Sequence, residues 1–261
     1  MASQLSIHPA VPGRVSIVQI TDCHIYGEPG QRFDGVDTAA TLEQVIGRIT
    51  TMHRPPDLIL ATGDLVHEAE ARAYLRLRQQ LLTLKPAVVC LPGNHDDPGM
   101  LQEYLNSGNL STSRTVDCPN WRIVMLDSYL AGSHNGYLSP MELDRLRQQL
   151  DRTDRDNLLV CLHHAPVSVN SSWMDGMMLN NPEELFAVLD GCTRVRGLVW
   201  GHIHQRFESM RNGVRLLGTP ATSIQFTPGS DHFIRDSGGP GFRELILHDD
   251  GSIETSITWL E

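Results

Sequence analysis

Short apolar runs alternate along this chain with stretches whose apolar residues recur every three or four positions. "VSIVQI" (15–20) is a β-branched run that stops at Thr21-Asp22. From Thr38 to Met52, Leu42, Val45, Ile46 and Ile49 keep helical spacing. "DLILATGD" (57–64) reads as a second strand, residues 69–84 as a helix and "AVVCL" (87–91) as a third strand. This order predicts a βαβαβ unit with parallel strands. Further on, "WRIVMLDS" (121–128), "LLVCLHHAP" (158–166) and "VRGLVWGHIH" (195–204) read as strands. Ser139-Pro140-Met141-Glu142 is a capping box that opens a helix to about Leu150. Asn181-Pro182-Glu183-Glu184 caps another, to about Leu189. Asn212-Gly213 and Asp250-Gly251 are hairpin signals between short alternating runs, so the last third is expected to be antiparallel. With no linker, low-complexity segment or fixed-period repeat, residues 1–261 are expected to form a single domain.

Composition narrows the function. The 261 residues are 40% hydrophobic and 20% charged, ordinary for a soluble globular protein. No apolar stretch approaches the ~18 residues of a membrane helix. The start, "MASQLSIHPAVPGR", shows no basic region followed by an apolar one, as a secretory signal would. The 5 cysteines are scattered and form no CxxC pair, which fits reduced thiols in a cytoplasm. A formal charge of −10 without a basic run disfavours nucleic acid as partner. A small phosphate remains compatible if metal cations supply local positive charge. Nothing excludes a homo-oligomer.

The chemistry lies at the ends of the strands. Asp22-x-His24, Gly63-Asp64, Gly93-Asn94-His95-Asp96, His163-His164 and Gly201-His202-x-His204 each follow an apolar run. Taken singly, a Gly-Asp after a strand is more often a turn or a helix cap. Taken together, they place carboxylates and imidazoles at successive strand ends, where open α/β sheets bind ligands. The glycines before Asp64, Asn94 and His202 suit tight turns and close backbone approach.

The set D-x-H, G-D, G-N-H-D, H and G-H-x-H, in this order, resembles the calcineurin-like metallophosphoesterases over about residues 15 to 247. "VQITDCHIYG", "LILATGDLVHE", "SSWMDGMMLNNPEEL", "WGHIHQ" and "GTPATSIQFTPG" are most similar to the bacterial class III 3′,5′-cyclic-AMP phosphodiesterases. The resemblance implies a four-layer α/β/β/α sandwich, with two central mixed sheets flanked by helices and a two-metal site in the cleft. It implies that Asp22, His24, Asp64 and His204 hold one metal. Asp64 would bridge, and Asn94, His163 and His202 would complete the second site. His164, in "HHAP", is the alternative to His163. Fe and Mn are the expected metals, with Zn also compatible. His24, Asp64, Asn94, His95 and His204 would face the substrate.

The implied reaction is hydrolysis of 3′,5′-cyclic AMP to 5′-AMP. Hydroxide generated at the metals attacks phosphorus, and His95 protonates the departing ribose oxygen. Asp96 is expected to orient His95, and Asp97 to cap the next helix. Alternatives are the same chemistry on a 2′,3′-cyclic nucleotide, a glycerophosphodiester or a lipid-linked pyrophosphate. An inactive scaffold would be expected to have lost ligands. Trp173 could stack on the base or be a lid residue packed on the core. Gln205 and Gln225 could read base or ribose edges but are expected to be exposed; Cys23 could be redox sensitive but is expected to point into the core. His8, His53, His67, His134, His232 and His248 lie outside the strand-end set and are expected to be surface or structural. "DHFIRDSGGPGF" (231–242) could be a flap over the site or a long connection.

Overall fold

The computed structural model describes residues 4–152 and 154–261. In chain order the strands are β1 (Gln4–Ser6), β2 (Arg14–Ile20), β3 (Leu58–Thr62), β4 (Ala87–Leu91), β5 (Leu110–Ser111), β6 (Thr115–Asp117), β7 (Trp121–Met125), β8 (Asn157–Cys161), β9 (Val195–Trp200), β10 (Phe207–Arg211), β11 (Val214–Gly218), β12 (Gln225–Phe226), β13 (Arg235–Asp236), β14 (Gly241–His248) and β15 (Ile253–Trp259). The helices are α1 (Thr38–Thr50), α2 (Ala71–Leu81), α3 (Pro98–Tyr104), α4 (Pro140–Arg152), α5 (Ser172–Asp175) and α6 (Pro182–Leu189).

Two sheets hold the molecule together. One runs β15-β14-β2-β3-β4-β5, the other β1-β6-β7-β8-β9-β11-β10. β3 and β8 are buried at every position, because both faces of a central parallel strand are covered. Between the sheets, Ile17, Leu58 and Leu60 pack with Ile123, Leu159 and Val199. Outside the first sheet, Val18 and Ile59 pack with Leu42, Val45 and Leu77 of α1 and α2. Outside the second, Val160 and Leu198 pack with Leu146 of α4 and Leu185 of α6. The layers are therefore helix, sheet, sheet, helix, as expected. No helix among the described residues is long and apolar enough to cross a membrane.

The predicted elements are found with ends shifted by a few residues: α2 is shorter than expected, β4 has the expected ends and β2 begins one residue earlier. β2, β3 and β4 are parallel neighbours joined through α1 and α2. Asn212 and Gly213 both take positive φ, 49° and 82°, as a tight hairpin turn requires. The last third departs from the antiparallel expectation at one place: β11 returns from that hairpin to lie parallel beside β9. Asp97 caps α3 by accepting from Met100 N at 2.8 Å. Ser139 caps α4 by accepting from Glu142 N, but Glu142 does not complete the box; its carboxylate takes Asp127 N at 3.0 Å and two arginines. Asn181 stands at the start of α6 without capping it, because its amide bonds Leu138 N and O.

Candidate metal centre

β2, β3 and β4 of one sheet and β8 and β9 of the other all deliver their carboxyl ends to one cleft. Beyond β2 and β3 the chain continues paired, with Asp22 N bonding Gly63 O and His24 N bonding Asp64 O. Asp22, His24, Asp64, His202 and His204 all take φ between 48° and 66°, a region costly for a side chain with Cβ. That turn folds the side chains back over the sheet ends. The Asp22 carboxylate accepts from His202 N at 3.0 and 3.1 Å, which ties the exits of the two sheets together.

The donor atoms lie close together. His204 Nε2 is 3.3 Å from Asp22 Oδ1 and 3.2 Å from His24 Nε2. His24 Nε2 is 3.8 Å from Asp64 Oδ2. On the other side of Asp64, His163 Nε2 is 3.3 Å from Oδ2 and 4.0 Å from Asp22 Oδ1. Asp22, His24 and His204 thus form one group able to hold a metal, and Asp22, Asp64 and His163 a second. Two of the rings are aimed by carbonyl oxygens, which can only accept. His163 Nδ1–H donates to Thr62 O at 2.8 Å and His204 Nδ1–H to Ile224 O at 2.7 Å. Each ring therefore turns Nε2 toward the carboxylates.

The electrostatics favour ligand chemistry. Burial pushes His202 down to about 3 and holds His24 well below the usual imidazole range, so both are neutral donors. Burial alone would discharge His163, but the Asp64 carboxylate beside it pushes it up to about 9. Burial opposes charge on Asp64 too, yet His163 holds it well below the ordinary carboxylate range. A metal bound here would take the place of the proton between them. Asn94 Oδ1 and His202 Nε2 are buried and meet no hydrogen-bond partner among the described residues. Such orphaned acceptors are costly in a folded protein. Two lone pairs, two buried carboxylates and further imidazoles are a donor set that fits divalent metals.

Second contacts correct several expectations. Asp96 does not touch His95. Its carboxylate accepts from Gly93 N, Leu65 N, Val66 N and the Tyr74 hydroxyl at 2.9–3.3 Å, so it fastens the loops after β3 and β4. His95 is held instead by its backbone N on Asp64 Oδ1 (2.9 Å) and by its Nδ1–H on His67 O (2.7 Å). His67, set aside as surface or structural, is half-buried in the site, stacked on Tyr26 with Nδ1 3.3 Å from His24 Nδ1. His134 is exposed, yet it lines the cleft and its Nδ1 lies 3.3 Å from Asn94 Nδ2. Its position three residues after Asp64 was the available signal for His67; His134 lies on no strand end and gave none. Gln205 and Gln225 are buried, not exposed; Gln225 clamps Ala221 and Gly239. Cys23 points into the core as expected. His164 Nδ1 is 2.7 Å from Ser128 Oγ.

The cleft above these residues encloses about 340 Å³. Its lining combines histidines and Asp64 with the apolar side chains of Phe33, Trp173, Met177, Phe226 and Phe233. A larger groove of about 860 Å³ beside α1 contains none of the strand-end residues.

Residues 15–206 match the family described as calcineurin-like phosphoesterase. The 3′,5′-cyclic adenosine monophosphate phosphodiesterase CpdA of Pseudomonas aeruginosa is 42% identical over 98% of this chain and 94% of its own length. A 3′,5′-cyclic-nucleotide phosphodiesterase of Nostoc sp. is 38% identical over 93% of this chain and 91% of its own. Among solved structures, a dimetal phosphatase from Danio rerio superposes with a TM-score of 0.65 at 16% identity, over 95% of this chain and 99% of that one, a likeness of fold.

Proposed function

Because this chain belongs to the calcineurin-like phosphoesterase family, we propose that it is a phosphodiesterase that opens 3′,5′-cyclic AMP to 5′-AMP. The observation that carries the reading is the convergence of Asp22, His24, Asp64, His163, His202 and His204 from both sheets, with Asp22 common to two donor groups and Asp64 facing both His24 and His163. The named activities of the similar phosphodiesterases supply the substrate. Residues 1–261 act as one catalytic unit in this reading, in the cytoplasm, where the free Cys23, Cys90, Cys118 and Cys161 stay reduced.

Asp22, His24, Asp64 and His204 would hold one metal, and Asp64, Asn94, His163 and His202 the other. Mixed imidazole and oxygen donors suit Fe and Mn, and Zn is also compatible. Bound there, the pair would supply positive charge to the phosphoryl oxygens and make water a nucleophile near neutral pH. His163 rather than His164 is assigned because its Nε2 faces Asp64 and Asp22.

The remaining work falls to His95. When water adds to phosphorus, the bond from phosphorus to ribose O3′ breaks and that oxygen needs a proton. His95 lines the cleft, and the His67 carbonyl occupies its Nδ1–H, so Nε2 is the nitrogen that delivers the proton. A positioned acid of this kind contributes about 10²–10⁴-fold.

The purified protein tests the reading. Metal content by mass spectrometry should give two ions per chain. Of cAMP, cGMP, 2′,3′-cAMP and bis(p-nitrophenyl) phosphate, cAMP should be the natural substrate hydrolysed best. Turnover of the synthetic diester alone would refute the substrate assignment.

A further inference from the structure

The proton and metal chemistry uses only one part of the cleft, and the aromatic part is left over. Phe226 is stacked on His204, with ring centroids 3.9 Å apart and planes at 6°, so that face is occupied. Trp173 meets Phe226 at 5.1 Å and Phe233 at 5.9 Å, edge to face in both cases. It is wedged between two rings, and its Nε1 is buried. Phe233 is different. It lines the same cleft, yet 43% of it is open to water, which is costly for a large apolar ring.

The segment that carries Phe233 is built rather than loose. It joins β12 to β13, and Thr227 N bonds Ile234 O across its base. Ser171 Oγ–H donates to Ser230 O at 2.6 Å and Ser172 Oγ–H to Asp231 Oδ1 at 2.8 Å, tying it to α5 beneath. Just beyond Phe233, Arg235 pairs with Asp34 at 3.4 Å. Asp34 follows Phe33, whose ring packs on His24 with centroids 4.8 Å apart. The ion pair therefore links the loop that bears Phe233 to the loop that lies on the donor residues.

We propose that Phe233 is the specificity-determining residue of this cleft: its open face stacks on the purine base, while Trp173 props it and the Asp34–Arg235 pair positions its loop. The proposal rests on the phosphodiesterase reading, since it needs a substrate that joins a phosphodiester to a flat aromatic base. Within segment 231–242, the turn that carries Phe233 is then a flap over the site, whereas Gly241 and Phe242 belong to β14. A base stacked on an aromatic ring gains little from the identity of its edges, so purines are preferred to base-free diesters more than one purine to another.

The experiment compares wild type with Phe233→Ala and Asp34→Asn, measuring kcat and KM for cAMP, competitive inhibition by adenosine and inhibition by inorganic phosphate. Phe233 is exposed, so its truncation leaves the core intact. For Phe233→Ala, KM should rise roughly 5- to 150-fold, the worth of one base–aromatic stack. Inhibition by adenosine should weaken in parallel, with kcat and phosphate inhibition unchanged. Asp34→Asn should move KM in the same direction by less, and added salt should narrow the difference between it and wild type. A wild-type KM in Phe233→Ala, or a loss confined to kcat, overturns the proposal and leaves the phosphodiesterase reading standing. A wild-type protein that turns over bis(p-nitrophenyl) phosphate but neither cAMP nor binds adenosine overturns both.

Discussion

Gly93 is the residue at which the geometry of the metal centre can be tested without touching a ligand. It sits between β4 and Asn94, and its φ lies outside the left-handed region, so alanine could adopt its backbone. Space is what forbids it. A Cβ there would lie 2.2 Å from Asp64 Oδ1, 2.4 Å from Asp64 N and 2.8 Å from His163 Nε2. The first two fall more than about 1 Å short of the ~3.5 Å at which non-bonded atoms rest. Asp64 N belongs to the backbone and cannot swing away, so the Asp64 carboxylate or the whole Gly93 turn must move by about that amount. Overpacking of this kind costs about 1–3 kcal/mol. At ~2–4 °C per kcal/mol for a domain of this size, Gly93→Ala should lower Tm by about 2–12 °C. A displacement of ~1 Å in Asp64, whose Oδ2 faces both His24 and His163, should cost about 10²-fold in turnover. Gly47→Ala is the control: it lies within α1, a Cβ there meets nothing within 4 Å, and alanine should stabilise by up to ~1 kcal/mol. Thermal melts, metal content by mass spectrometry and cAMP hydrolysis should be read on both variants. If Gly93→Ala keeps wild-type metal content and turnover, the packing argument is wrong.

Three further changes probe other parts of the molecule. His95→Ala should reduce kcat by about 10²–10⁴-fold while metal content by mass spectrometry stays at the wild-type level; an emptied centre would show that His95 is structural. Burial would raise the Glu142 pKa, but Arg145 and Arg114 beside it hold the group below its ordinary value near 4.5. Its folded pKa is thus depressed, and its contribution to stability is present above the unfolded pKa and lost as pH falls through the folded one. Glu142→Gln should therefore destabilise by about 1–3 kcal/mol at pH 7, and urea melts should show the gap to wild type closing as pH falls below 4.5. Arg243 is fully buried, and it donates to Gly218 O at 2.8 Å, Thr255 Oγ1 at 2.7 Å and Glu208 Oε1 at 3.1 Å. Arg243→Met strands those acceptors and should cost about 3–5 kcal/mol by denaturant titration.

What the chain disclosed in advance follows from strand geometry. A run such as "LILAT" shows where a parallel strand stops, and whatever follows it stands at the edge of the sheet. Strand ends alone therefore bring Asp22, Asp64, Asn94, His163 and His202 together. The same logic reaches His67 only through its place three residues after Asp64, and it is silent about His134, which a distant loop brings to the cleft. It is silent too about direction. Asp96 adjoins His95 in the chain, but its carboxylate turns the other way, toward the amides of Leu65 and Val66. β1, β5 and β6, at two or three residues each, are too short to show any period.

The deepest omission is the polar link beneath the site. Gln19 Nε2 donates to Thr62 Oγ1 at 2.8 Å and to Trp200 O at 3.2 Å, while its Oε1 accepts from Thr219 at 2.6 Å and Thr219 accepts from Arg243 at 3.1 Å. In the sequence these are polar letters inside apolar runs, indistinguishable from solvent-facing positions of a strand. In the fold they face each other across the gap between the two sheets. Gln19, Thr62 and Trp200 each lie within three residues of a donor residue, so the link fixes the spacing between the sheets where the donors leave them. Apolar packing alone permits two sheets to slide by fractions of an ångström. A chain of satisfied buried hydrogen bonds permits much less, because each shift leaves a donor or acceptor unpaired. The left-handed turns at Asp22, Asp64 and His202 are strained, and strain of that kind persists only where the surroundings over-determine the backbone. The Gln19 link supplies that constraint from below, and the Asp22 carboxylate on His202 N supplies it from above.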